Sequence, residues 1–271
     1  MPYSKASDPL GVAEAGWALV TGAAGGIGAA VCRQLAGQGL AVLMLDRDEA
    51  ALGVAAAGVR AARGRAETLV ADTTAPGAAE QAMACVRANG GRVDALVNVA
   101  GGSGPRPVRS IEELNDTLWE QVVALNLTTA FRFCRAAVPG MRARGYGRIV
   151  NLSSTVAHGR QGPVTTQGAG LAYATSKAAL LGLTAQLAKD EAPHGITVNA
   201  LLPALILADP GSRIRDRFDA LPEAARAAML NGFPTGRAGT AAEVAAVVGF
   251  LCSAAAGYVS GVALPVDGAF L

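Results

Sequence analysis

Trp17-Ala18-Leu19-Val20-Thr21, followed by Gly22-Ala23-Ala24-Gly25-Gly26-Ile27-Gly28, is the stretch on which the fold turns. A run of strand length enters a glycine-rich turn, and residues 26–36 then carry apolar side chains at helical spacing. Glycines at such a turn let the backbone come close to a phosphate, and the free N–H groups and dipole of the helix start hold the anion. No Lys-Ser or Lys-Thr follows the loop, so it is not a Walker A loop. Glycine spacing alone is a weak signal in a chain with 34 glycines; the strand before and the helix after give it context. Gly22, Gly26, Ile27 and Gly28 are therefore candidates for the cradle of a phosphate-bearing cofactor.

Working outward, short apolar runs at 41–45, 67–71, 95–99, 148–152 and 196–201 read as further strands. They lack polar alternation, as strands buried on both faces do. Longer runs at 76–89, 118–142 and 172–190 read as helices. Alternating units of this kind predict an α/β fold, a doubly wound parallel sheet of the Rossmann type with helices on both faces. No repeat or linker marks a second domain, so residues 1–271 are expected to form one, with 1–15 as an N-terminal extension. Two long connections, 158–170 and 203–235, break the rhythm and are expected to cover a substrate. His158 reads as a solvent-facing loop residue.

Composition excludes several classes. The chain has 271 residues, 51% hydrophobic and 16% charged, with a formal net charge of +2, enough for a large core and without a polyanion-binding footprint. The tightest basic group, Arg142, Arg144 and Arg148, is expected on a solvated helix end and the turn after it. Aromatic residues at 4% argue against a stacking platform for bases or sugars. Cys32, Cys85, Cys134 and Cys252 are far apart and His158 and His194 stand alone, so free thiols and no metal are expected. The longest uncharged apolar run, 196–208, is too short to span a bilayer and contains Asn199 and Pro203. Without a signal pattern at the N-terminus, the expected location is the cytoplasm.

Two further features carry chemistry. Asp46 ends the second strand, 18 residues beyond Gly28, where a carboxylate can accept hydrogen bonds from an adenosine ribose diol. With Arg47 and Asp48 it could also be a polar turn. Tyr173 and Lys177 stand at i and i+4, so phenol and ammonium share one helix face. A cation about 4 Å from the phenol would stabilise its anion by up to ~4 kcal/mol at an effective dielectric near 20. Lys177 is thus expected to lower the Tyr173 pKa towards neutrality, making it a proton donor and acceptor for an alcohol oxygen.

With these residues in place, the chain resembles the classical short-chain dehydrogenases/reductases from about Gly16 to Leu271. Residues 21–28 resemble the family's cofactor loop, and Asp72-Thr73 the pair bordering the adenine ring. Asn98-Val99-Ala100-Gly101 is similar to the family's N-N-A-G stretch, with Val99 replacing the second Asn. Asn126 matches the helix asparagine, Ser154 the catalytic serine, and residues 237–239 and 266–268 the C-terminal landmarks. The resemblance implies that Tyr173 is the general acid/base, that Lys177 holds the nicotinamide ribose, that Ser154 binds the substrate oxygen and that Asn126 holds a relay water. Asn98, Ala100 and Gly101 then belong with Asp72 and Thr73 to the cofactor site. Three departures stand out: Pro203-Ala204 replaces the family's P-G turn, Ala208 replaces a threonine that can hold the nicotinamide amide, and Ser154 and Tyr173 are 19 residues apart. Backbone groups near Ile206 could serve in the threonine's place.

The expected activity is hydride transfer between a nicotinamide cofactor and a secondary alcohol or ketone. NAD is favoured over NADP because Asp46 would face the 2′-phosphate, although Arg47 beside it could pair with that phosphate. An NADP-dependent 3-oxoacyl-thioester reductase and a non-catalytic dinucleotide-binding sensor or scaffold stay open as alternatives. A methyltransferase would not need Tyr173 and Lys177. The resemblance, the apolar segment 261–271 and the Ala-rich helices imply a homo-oligomer, a tetramer above all.

Overall fold

The computed structural model describes residues 15–104, 108, 110–159 and 170–271. The chain runs β1 (Ala15–Thr21), α1 (Gly26–Gly37), β2 (Ala41–Asp46), α2 (Glu49–Ala61), β3 (Ala66–Val70), α3 (Ala78–Ala88) and β4 (Gly91–Asn98). It continues with α4 (Asp116–Val123), α5 (Thr129–Arg144), β5 (Gly147–Leu152), α6 (Gly170–Glu191) and β6 (Ile196–Pro203). The remainder is β7 (Ile206–Leu207), α7 (Arg213–Asp219), α8 (Glu223–Asn231), β8 (Gly239–Thr240), α9 (Ala241–Leu251) and β9 (Ala263–Val266). Among the described residues seven strands form one parallel sheet in the order β3-β2-β1-β4-β5-β6-β9, while β7 and β8 pair separately.

The missing polar alternation in the strands has a simple cause. In β1, Ala18 and Val20 pack into one core with residues of α1, α2 and α9. Trp17 and Leu19 point the other way, into a second core with residues of α3 and α5. Both faces are dry, so no position in the strand is free to be polar. Each such Leu or Val side chain stabilises the fold by roughly 1.5–3 kcal/mol. The doubly wound sheet is the expected fold. The sequence reading missed α2, α9 and β9, which are short or Ala-rich and carry little periodic contrast.

The chain order reverses between β1 and β4, which pair in register with Thr21 opposite Asn98. A crevice therefore opens beyond the carboxyl ends of these two strands, the place where open α/β sheets bind ligands. The loop 22–26 and the turn 99–102 form its lips.

Several expectations are corrected. Residues 118–142 are not one helix: a π-helical turn, Ala124–Thr128, separates α4 from α5. Of the basic group, Arg142 and Arg144 lie on the exposed last turn of α5 as expected, and Arg148 alone does not. Arg142 clasps the buried Glu191, Arg144 donates to the Val93 carbonyl at 2.7 Å, and Arg148 is buried against the carbonyls of Gly147, Gly195 and Ser253. Pro203-Ala204 avoids the left-handed backbone that glycine would permit, and the Ala204 N–H donates to the Val266 carbonyl at 3.3 Å. Of the connection 158–170, residues 160–169 lie outside the described residues, and His158 is exposed. The segment 203–235 is clipped near its start by pairing of Ile206 with Gly239 and contains α7 and α8.

Candidate active site

The glycine loop is built by close approach. Gly22 has φ +68°, and a methyl group there would lie 2.8 Å from the Ala100 amide nitrogen. A methyl on Gly28 would lie 2.0 Å from the Gly22 carbonyl oxygen. The two glycines thus seat α1 against the loop and the loop against the turn after β4. Gly26 has φ +56° and open space before it, and no side chain caps the start of α1. The first turn of α1, with Ile27, therefore offers N–H groups to an anion, and the donor set fits the pyrophosphate of a dinucleotide.

Asp46 does more than face that site. Its carboxylate accepts the N–H groups of Ala24 at 3.1 Å, Arg47 at 2.8 Å and Asp48 at 3.2 Å. It ties the glycine loop to the end of β2. Of about four acceptor positions on a carboxylate, one remains for a ligand hydroxyl. Next along the crevice, Asp72 accepts from the Thr74 N–H at 2.8 Å and the Thr74 hydroxyl at 2.7 Å. These bonds, with a contribution from the Arg47 charge, hold its carboxyl below its ordinary value.

The chemistry-bearing side chains converge where β5, α6 and the π-turn meet. The π-turn frees the Val122 carbonyl, and the buried Asn126 takes it, donating Nδ2 at 2.8 Å. The same amide grips Gly102 from both sides, donating to its carbonyl at 2.8 Å and accepting its N–H at 3.1 Å. Ser153 and Ser154 leave β5 in opposite directions. The buried Ser153 hydroxyl donates to the Lys177 carbonyl at 2.7 Å, whereas the Ser154 hydroxyl donates to the Pro203 carbonyl and accepts the Val156 N–H, each at 3.4 Å, and stands near enough to the Tyr173 phenol to lower its pKa. The ammonium of the buried Lys177 donates to the Leu152 carbonyl at 2.6 Å. It lies 5.7 Å from the centroid of the Tyr173 ring.

Electrostatics here differ from the sequence expectation. Burial raises the Tyr173 pKa; the Ser154 hydroxyl and the Arg213 charge oppose this without cancelling it. Burial brings Lys177 down to about 8.

Asn126, Ser154, Tyr173 and Lys177 are thus brought together, and Gly101 lies beside them. A methyl on Gly101 would meet Asn126 Oδ1 at 2.6 Å and Lys177 Nζ at 3.1 Å. Ala100 closes the back of the glycine loop, its N–H donating to the Thr21 hydroxyl at 3.2 Å. Asn98 is not presented to the crevice: its side chain is buried and donates to Asn151 Oδ1 at 2.8 Å. Asn151 in turn donates to the Thr184 hydroxyl, so Asn98 belongs to a polar seam beneath the site. Thr73 is buried, its carbonyl accepting the Thr129 hydroxyl, and the Ile206 side chain is buried too. Only their backbones are left to meet a ligand. Sequence reasoning missed Arg213, which no local motif marks.

A family model described as short chain dehydrogenase matches residues 16–217. The chain belongs to the short-chain dehydrogenase family. Short-chain reductase protein NovJ of Streptomyces niveus is 35% identical over 263 residues, covering 97% of each chain. The 3-oxoacyl-[acyl-carrier-protein] reductase FabG of Escherichia coli is 35% identical over 251 residues, covering 93% of this chain and 95% of that protein. Among solved structures, actinorhodin polyketide ketoreductase with NADPH superposes with a TM-score of 0.83 at 34% identity, covering 94% and 97% of the two chains. The short-chain dehydrogenase described here is accordingly a nicotinamide-dependent oxidoreductase of alcohol/ketone pairs. No helix among the described residues is long and apolar enough to cross a membrane.

Proposed function

We propose that this enzyme interconverts a secondary alcohol and its ketone with Tyr173 as general acid/base, and that NAD is its cofactor. The observation that carries the reading is the meeting of the Ser154 hydroxyl with the Tyr173 phenol above the buried Lys177. The cofactor, when bound, supplies or accepts the hydride. Tyr173 holds its proton at neutral pH, since burial raises its pKa, and that form can protonate the oxygen of a ketone. Ser154 donates to the same oxygen as charge develops there. Lys177 holds the nicotinamide ribose, and Asn126 fixes the turn at Gly102 and the relay water behind it. Asp46, with Gly22, Gly26, Ile27 and Gly28, holds the adenosine end, and the segment 203–235 covers the substrate. A sensor or scaffold would have no use for this assembled set of four.

Tyr173→Phe removes only the transferable proton. Turnover should fall at least 100-fold with cofactor affinity unchanged, measured by steady-state rates and a cofactor titration. Activity within about tenfold of wild type overturns the assignment.

A second reading is an NADP-dependent 3-oxoacyl-thioester reductase. It is favoured by the NADPH in the actinorhodin ketoreductase structure, by the likeness to the 3-oxoacyl reductase, and by the position of Arg47 directly after Asp46, where a guanidinium could pair with a phosphate. NAD is preferred because the Asp46 side chain ends β2 beside the position a 2′-phosphate would take. The ratio of kcat/KM for the two cofactors decides between them. A preference for NAD that Asp46→Ala narrows supports the carboxylate; a preference for NADP makes Arg47 the dominant group.

We also propose a cytoplasmic homotetramer. Burial pushes the thiols of Cys134 and Cys252 up to about 12, so they stay inert and reduced. Among the described residues strand β9 pairs on one side only, and it exposes Leu264, with Val262, Phe270 and Leu271 also exposed, an edge that a neighbouring subunit would cover.

A further inference from the structure

Arg213 begins α7 in the segment that lies over the site. A methyl group on Gly102 would come within 3.7 Å of its Nη2 and 3.8 Å of its Nη1. Gly102 is the residue whose backbone Asn126 grips on both sides, so the guanidinium stands at a defined place beside the reacting groups. Its charge is also felt by the Tyr173 phenol.

Among the described residues no carboxylate pairs with it. Of the segment's other charges, Asp209 pairs with Arg33 at 3.4 Å, Asp219 with Arg215 at 2.7 Å, and Asp216 accepts the Gly211 N–H at 3.0 Å; Arg213 is exposed and is set apart by its place beside Gly102. Of the stretches that lie outside the described residues, 105–107, 109 and 160–169 contain no Asp or Glu, and residues 1–14 contain Asp8 and Glu14. The site groups Asn126, Ser154, Tyr173 and Lys177 include no carboxylate that could pair with Arg213. A guanidinium is always charged and its planar fork matches a carboxylate with two parallel hydrogen bonds.

We propose that Arg213 is a specificity-determining residue that binds a carboxylate on the substrate, and that the preferred substrates are therefore oxo acids or the matching hydroxy acids. This rests on the assignment of the site at Ser154 and Tyr173. The cofactor pyrophosphate is the other anion within the crevice, and the experiment separates the two. Wild type, Arg213→Met and Arg213→Lys are compared on 3-oxobutanoate and 4-oxopentanoate and on the methyl ester of each, which differ from the acids in charge at the same reach. Cofactor affinity of each variant is measured by titration, and acid binding to the cofactor-loaded enzyme by calorimetry.

Wild type should prefer at least one acid over its ester. Arg213→Met should lose about 10- to 100-fold in kcat/KM for that acid, chiefly in KM, with a much smaller loss for the ester and the cofactor affinity unchanged. Arg213→Lys should recover part of the loss. Equal use of acid and ester by wild type, or a loss in Arg213→Met that falls on cofactor affinity instead, overturns the proposal. If neither acid nor ester is turned over, the functional assignment is what fails. Calorimetry still decides the inference: acid binding that Arg213→Met abolishes supports it, and acid binding indifferent to the variant, or none, overturns it.

Discussion

Lys177 shows at the scale of one residue how a site is held together against its own solvation. Its ammonium is buried, bound to the Leu152 carbonyl, and titrates at about 8 instead of near 10.5. The native state therefore releases this proton before the unfolded chain does, so the penalty is full below pH 8 and fades as pH rises towards 10.5. Relative to Lys177→Met, wild type should gain about 1.4 kcal/mol of unfolding free energy between pH 7 and pH 9. Urea unfolding of both proteins at the two pH values checks it, and a constant difference would show that the ammonium is not desolvated. The i, i+4 spacing of Tyr173 and Lys177 was readable as a pair on one helix face. Which charge acts on the phenol was not, because Arg213 arrives from 40 residues further along the chain.

Among elements, α1 and its loop illustrate packing dictated by glycine. The Gly28 position leaves no room for a methyl beside the Gly22 carbonyl, and both groups are backbone, so neither can rotate away. Gly28→Ala should lower stability by at least about 2 kcal/mol and weaken cofactor binding with it. Gly25→Ala is the control: its φ of −164° suits any residue, and a methyl there meets nothing within 4 Å. It should stay within about 0.5 kcal/mol of wild type in urea unfolding. Equal losses in the two variants would mean that the close approach at Gly28 is not what seats α1. The π-turn at Ala124–Thr128 is the element that sequence could not mark. Residues 118–142 keep an apolar helical pattern through it, and the extra backbone turn depends on Asn126 reaching Gly102, a contact between distant segments.

For the whole molecule, the exposed apolar edge at β9 leads to an expected mass. Light scattering at micromolar concentration should give four times the 27.1 kDa of the chain. Replacing Leu264 and Phe270 with Asp should lower that mass if β9 and the C-terminal turn form a subunit boundary. A monomer in wild type would refute the tetramer. The same scale explains the order of the sheet. Strands dry on both faces must be sandwiched by helices, so the apolar runs at 17–21, 41–45 and 148–152 already required α/β layering.

Local chemistry was what the amino-acid sequence determined by itself. The glycine loop, the carboxylate ending β2, the serine ending β5 and the Tyr173–Lys177 face each lie within one strand–turn–helix unit, where spacing fixes geometry. Tertiary structure alone decided which groups meet between such units. It turned Asn98 inward to Asn151, used three acceptor positions of Asp46 on the backbone, buried Arg148, and carried Arg213 over Gly102. The physical reason is that hydrogen bonds and charges act over a few ångströms in space, whereas a motif records only distance along the chain.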